Sequence, residues 1–317
     1  MNQETLLQAI RQKIGNTASL IEEIATILEI SYDAAHRRTA HKSKLTIDET
    51  IQLAKHYGIS LDNLFQKEEY VLVNKTKEIK DFQDLSNYLN NSYQSLANYP
   101  QDDSTYAYYS AKDIPLFYTL GTDILSQFKR YVWMNMLTQH HDNIAFEQFQ
   151  FKARLLENAE KLSEFYNNIT KHEIWNDTTI NSTLQQIMYY YESGLLNAES
   201  ALQVCDNLMQ LIQSLEQNCS NSNRKHNIYY HELLILNNNV LITNNKKNTL
   251  FVPYTMLGYF ITNDIETCKF AHNFFHHQLQ NSKLLNTAGK KDKKMFFNKM
   301  YEKINYYKRR IVENYTI

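Results

Sequence analysis

The sequence predicts a mainly α chain: a compact five-helix domain at the N-terminus, followed by a larger helical domain carrying a small antiparallel β meander near the C-terminus. Three observations predict it. Between residues 19 and 65, apolar residues recur at helical spacing in short segments bounded by start and stop signals. From Leu116 to about Gln217, long apolar stripes of helical period follow one another. The 317 residues include only 6 Gly and 3 Pro against 43% hydrophobic residues, which argues for helices joined by short polar loops around a sizeable core.

Residues 1–67 hold the clearest signals. Glu4–Ile14 places Leu6, Leu7, Ile10 and Ile14 on one helical face. Leu20, Ile21, Ile24, Ala25 and Leu28 form a second such face, opposite Glu22 and Glu23. Glu29-Ile30-Ser31 makes a turn; Ser31 is suited to cap the next helix and Asp33 to sit at its positive end. On that third helix Tyr32, Asp33, His36 and Arg37 fall at i, i+1, i+4 and i+5, one exposed face, while Ala35 lies opposite and is small enough to pack closely. Thr46-Ile47-Asp48-Glu49 is a capping box for a fourth helix with Ile51, Ala54 and Tyr57 on one face. Gly58 suits its left-handed end, and Ser60 opens a fifth helix with Leu61, Leu64 and Phe65 pointing inward. A short amphipathic helix, a tight turn and a helix ending in an acid-free basic run is the order of a helix-turn-helix reader of double-stranded DNA.

The chemistry of the third helix fits that use. Arg37 can bond bidentately to guanine O6 and N7 and Asp33 can accept from cytosine N4, so Tyr32, Asp33, His36 and Arg37 are the expected base-contacting residues. Ser31, Arg38, His41, Lys42 and Lys44 are the expected phosphate contacts, which fix register without reading sequence. A basic run alone is more often a solvated helix end complementing the dipole; its place behind a capped turn favours DNA. The segment IATILEISYDAAHRRTAHKSKLTIDETIQLAKHYGISLDNLF resembles the Cro/C1-type (XRE) helix-turn-helix domain. In particular it resembles Bacteroidota regulators in which that domain heads a long uncharacterised C-terminal region; AKDIPLFYTL at Ala111–Leu120 and Phe296-Phe297-Asn298 look like that group too. The resemblance implies a transcriptional regulator. Two positions depart from the family, which usually has Gly where this chain has Glu29 in the turn and His41 after the third helix. Since a side chain in left-handed backbone costs about 1 kcal/mol or more, a slightly different turn is expected. Residues 1–66 carry seven Lys/Arg against eight Asp/Glu, so attraction to DNA must be local, and a homodimer, which doubles the contacts, is favoured.

Residues 68–112 read as a linker helix (Lys75–Ala97) and a polar tether through Tyr99–Ser104, and residues 113–317 as a helical dimerisation and sensor domain with a sub-boundary near 220. Its stripes are Leu125, Phe128, Val132, Met136 and Leu137; Ala153, Leu156, Ala159 and Leu162; Leu184, Ile187, Met188 and Tyr191; and a further helix at Ala198–Leu215. After a polar loop at Cys219–Asn223, Ile228–Leu236, Val240–Thr243 and Thr249–Val252 read as the meander, with helices returning at Asp264–Leu279 and Lys291–Arg310.

Catalytic signals are weak. Cys268, His272 and His276 share one helix face and form a minority metal candidate with His231 or His226 as a further ligand, but Phe270, Phe274 and Phe275 on the same helix favour packing. His140-His141 reads as a surface pair. With no phosphate-cradling glycine loop, nucleophile elbow or paired carboxylates standing out, neither an enzyme nor a cofactor is expected. The tyrosine groups at 106–109, 189–191 and 306–307 read as core and interface before pocket. Nine Lys/Arg in Lys290–Arg310 read as a solvated face before phosphate contacts. Three cysteines without a CxxC pair read as free thiols, and no signal peptide or membrane span is evident, so a soluble cytoplasmic protein is expected. The expected function is thus a dimeric, sequence-specific DNA-binding regulator open to a small-molecule, peptide or protein effector. The alternative is a protein- or peptide-binding module with weak or secondary DNA contact.

Overall fold

The structure, a computed structural model, describes residues 2–15, 19–65, 70–138, 144–149, 153–220, 225–233, 235 and 237–315, apart from the side chains of 62, 63, 153–156, 220, 314 and 315. His140-His141, Asn221-Ser222-Asn223 and the Leu156 side chain lie outside the described residues. The chain divides into two units, Met1–Leu72 and Val73–Ile317.

The N-terminal unit holds α1 (Asn2–Ile14), α2 (Leu20–Leu28), α3 (Tyr32–Thr39), α4 (Ile47–Tyr57) and α5 (Leu61–Phe65). Leu6, Leu7 and Ile10 of α1 meet Ile24 and Leu28 of α2, Ala35 of α3 and Leu53 of α4 in one small core. Ile51 is 39% exposed, so the buried stripe of α4 runs through Leu53 and Ala54 instead. Tyr57 reaches back to α2, its hydroxyl donating to Glu23 Oε2 at 3.2 Å, and burial followed by that carboxylate's charge pushes it up to about 12.

The C-terminal unit overturns the mainly-α expectation. An eight-stranded mixed sheet crosses it in the order β1-β7-β6-β5-β2-β3-β4-β8. The strands are β1 (Asn74–Lys75), β2 (Tyr106–Ala111), β3 (Thr170–Trp175), β4 (His226–Tyr230), β5 (Val240–Thr243), β6 (Asn248–Thr255), β7 (Gly258–Thr262) and β8 (Lys283–Leu284). Strands β2, β3 and β4 are parallel, and their crossovers carry α7 (Ile124–Leu137) with α8 (Ala153–Asn168), then α9 (Asn181–Glu192) with α10 (Ala198–Ser220). The expected β4-β5-β6 meander does not form: only its β5–β6 pair does, in an antiparallel wing of β5, β6, β7 and β1, whereas β4 joins β3 in parallel, separated from β5 by two strands.

Side chains alternate between two cores, as strand geometry requires. Ala107, Tyr109 and Ala111 of β2 and Trp175 of β3 face a thick helical layer built from α6 (Phe82–Leu96), α7 to α10 and α12 (Lys290–Tyr315). Tyr108 and Ile174 face the other way, onto Cys268, Phe275 and Leu279 of α11 (Ile265–Gln280). The region is therefore a three-layer α/β/α unit.

On the helical side β3 carries a charge. Glu173 is 0% exposed and accepts from Tyr118 Oη and Tyr166 Oη, both at 2.7 Å, and from Trp175 Nε1 at 2.8 Å, with His226 Nε2 3.3 Å away. Burial alone would raise its pKa; His226, Tyr166 and Lys171 outweigh it and hold the carboxyl down at about 2. Burial, and then the charge of Glu173, pushes the Tyr118 and Tyr166 hydroxyls well above their usual range, so both remain donors. No helix among the described residues is long and apolar enough to cross a membrane.

Candidate nucleic-acid interface

The candidate interface is built on α2, its turn and α3. At Glu29 the backbone is left-handed, φ 54° and ψ 42°, and the next amide, Ile30 N–H, returns to Ala25 O at 3.0 Å, a Schellman closure of α2. Ser31 then caps α3, its hydroxyl accepting from Ala34 N–H at 3.3 Å. His41, after α3, is also left-handed at φ 58°. Both departures from the XRE pattern thus keep the glycine-like backbone and carry its steric cost. Glu29→Gly removes the Cβ clash but frees the unfolded chain, so the net gain expected is about 0.5–1 kcal/mol. Amide exchange in α2 and α3 of the full chain should slow about two- to five-fold; unchanged exchange would show that the strain at Glu29 is no larger than the entropy a glycine adds to the unfolded chain.

The cap and turn fix which residues α3 offers outward. Ala35 is 0% exposed against the core, and Tyr32, Asp33, His36 and Arg37 are all exposed on the other face, Tyr32 at 54%. The Arg37 guanidinium has no intramolecular partner among the described residues, and His41, Lys42 and Lys44 are exposed in the loop behind it.

Arg38 behaves differently from the rest of the basic run. Its Nε and Nη2 donate to the two oxygens of Glu49 at 3.0 and 2.5 Å and its Nη1 to Ala34 O at 3.1 Å, with the side chain only 19% exposed. The hydrogen bond from Arg38 lowers the Glu49 pKa, and the same contact raises that of Arg38. Arg38 is a tie between α3 and α4, and it leaves the set of groups free to meet a phosphate. Ser31 only accepts as a cap, so its own O–H can still donate to a phosphate. Glu49 also completes the box, accepting from Thr46 N–H at 2.9 Å while Thr46 accepts from Glu49 N–H at 3.2 Å.

Gln3 had no sequence signal and proves central. Its Nε2 donates to Arg38 O at 2.8 Å and Ser43 O at 3.0 Å, and its Oε1 accepts from Leu45 N–H at 3.1 Å. One α1 amide therefore pins the loop that carries Lys42 and Lys44.

The other candidates do not assemble. Cys268 is 1% exposed with its thiol aimed at Thr262 O, 3.7 Å away. His272 and His276 put their Nε2 atoms 3.2 Å apart, beside Tyr108. His231 pairs with Ser282 and His226 with Glu173. Among the described residues no group of three or more His, Cys, Asp or Glu is placed to hold a metal ion. The basic α12 spends much of its charge inside its own unit: Lys299 meets Asp177, Lys308 meets Asp206 and Arg310 meets Glu192. The tyrosine groups are split, Tyr108, Tyr109 and Tyr190 buried and Tyr189 and Tyr306 exposed. Comparison with family models, with curated proteins and with solved structures finds no match to this chain.

Proposed function

We propose that the chain is a sequence-specific DNA-binding regulator of transcription, working as a homodimer, with α3 in the major groove and the C-terminal unit supplying dimerisation and effector sensing. One observation carries it: a rigidly capped eight-residue α3 turns Tyr32, Asp33, His36 and Arg37 outward together, next to an exposed basic loop held by Gln3. Core packing asks for none of those four side chains; base readout asks for that chemistry on that face. Two such readers related by a two-fold axis would meet half-sites about 34–36 Å apart.

The test is anisotropy of the full chain on a labelled duplex from upstream of its own coding sequence and on a shuffled duplex, across a salt series, with selection from random duplexes alongside. Lys42 and Lys44 in each of two protomers give an expected log–log salt slope of about −4, with a specific site bound about 10³-fold or more above shuffled DNA. Feeble, equal binding to both duplexes, together with no enriched sequence in the selection, would reject the proposal. The interaction-module alternative has its own support in α11, where Ile265, Phe270 and Phe274 are 77%, 75% and 52% exposed. It expects no preferred sequence.

A further inference from the structure

Where the chain leaves the carboxyl end of β2, Lys112 and Asp113 open onto a pocket of about 410 Å³ in the C-terminal unit. Ligands of sheets with parallel strands gather at this end, because the loops and helix starts that follow the strands converge there. The volume is that of a small-molecule site.

The polar part of its wall is built around a buried cation. Lys129, 2% exposed, donates to Asp113 Oδ2 at 3.0 Å, Gln186 Oε1 at 3.1 Å and Thr183 Oγ1 at 3.2 Å. Asp113 Oδ1 accepts from Ile114 N–H at 2.8 Å and from Thr183 Oγ1 at 3.3 Å, so the only acid among the described residues of the wall has both oxygens engaged. Asn238 Oδ1 accepts from Asp113 N–H at 3.0 Å. That leaves its amide N–H groups and the exposed Lys112 ammonium with no intramolecular partner among the described residues. Helix α9 starts without a side-chain cap and sets Ser182 of its first turn in the wall, so the positive end of its dipole adds to the same field. Lys112 and Lys129 against Asp113 make the wall net positive, and the Asp113 carboxylate, Gln186 Oε1 and Asn238 Oδ1 are already engaged as acceptors.

The rest is apolar. Trp133, Ile114, Leu257 and Pro253 face the pocket, and Tyr109, Leu116 and Tyr259 separate it from an apolar cavity of about 50 Å³. A ligand meeting both halves needs an anionic head and an apolar body.

We propose that this pocket binds a small organic carboxylate with an aromatic or aliphatic body. The carboxylate lies toward Lys112, Asn238 and the start of α9, and the body lies on Trp133 and Leu257. The word effector for this ligand rests on the regulator reading; the binding itself does not, because it is measured without DNA. Trp133 and the fully buried Trp175 are the only tryptophans, so fluorescence reports on the pocket directly. The full chain is titrated with phenylacetate, hexanoate and neutral phenylacetamide, by fluorescence and by calorimetry. At least one carboxylate should bind saturably and phenylacetamide about ten-fold more weakly than phenylacetate, the cost of a lost charge-assisted hydrogen bond. Lys112→Glu should weaken the carboxylate about five-fold with the thermal midpoint unchanged, and Ser182→Phe, by filling the pocket, should abolish the heat of binding. Failure of both carboxylates to saturate, equal affinity for the amide, or undiminished binding by the Ser182→Phe chain would each overturn the proposal while leaving the DNA reading untouched. Loss of the DNA reading would leave a carboxylate-binding unit.

Discussion

Glu173→Ala is expected to destabilise the C-terminal unit by about 3–5 kcal/mol, because it removes the shared acceptor of a buried network and leaves its donors behind. Trp175 Nε1 is a donor only, and Tyr118, Tyr166 and His226 would be left facing a void in the sheet's helical core. Both tryptophans lie in this unit, so urea unfolding followed by their fluorescence reads it, and the thermal midpoint should fall by about 10 °C. Glu173→Gln should cost less. Its amide oxygen can still take Trp175 N–H while its NH2 turns to the tyrosine hydroxyls, which can accept. A loss from Glu173→Ala no greater than that from an exposed substitution would mean that the network rearranges or hydrates.

The same carboxylate sets a pH dependence. Its folded pKa, about 2, is below the ordinary value of 4.5, so the folded state binds the proton less readily than the unfolded one. The stabilisation is then complete above about pH 4.5 and is lost as pH falls toward 2, amounting to about 3 kcal/mol over that window. The stability difference between the native chain and Glu173→Gln should narrow on acidification across that range and stay flat above it.

That network also explains why the sheet was hard to read. Buried parallel strands are normally apolar runs, but β3 reads Thr-Lys-His-Glu-Ile-Trp, and its polar residues make sense only once partners from distant segments are in place. Tyr118 is 55 positions from Glu173 and His226 lies on the next strand, beyond the reach of any local pattern. Strand β2 was masked in another way: it follows the polar Tyr99–Ser104 stretch, and its alternation of tyrosine with small residues looks like a tether. The N-terminal unit was far more legible because its signals are local. The Thr46–Glu49 box, the Ser31 cap and the Gly58 C-cap each lie within a few residues of what they stabilise, and the structure forms all three. The exposure of the α3 face followed from the same helical spacing. Invisible there were the two long-range ties, Arg38 to Glu49 and Gln3 to the loop, since nothing in a basic run says which arginine is spent on the fold.

Arg37→Ala separates those two kinds of arginine. The Arg37 side chain is exposed and its guanidinium unpartnered among the described residues, so its removal should leave stability unchanged. On its operator it should cost about 1–3 kcal/mol per half-site, and about twice that for a dimer on a two-fold site, if it bonds guanine bidentately. Shuffled DNA should lose only what one surface charge contributes, so the specificity ratio falls with the affinity. Lys42→Ala supplies the contrast: specific and shuffled binding should weaken together, and the salt slope should become shallower by about 1 per protomer. Arg38→Ala should act through the fold instead, stranding Glu49 and loosening α3 from α4, with faster amide exchange in α3 preceding any loss of affinity. Equal weakening of specific and shuffled DNA by Arg37→Ala would place that guanidinium on the backbone. Base readout would then fall to His36 and to Tyr32 and Asp33, the last two a turn nearer the start of α3, where a recognition helix points its first residues at the bases.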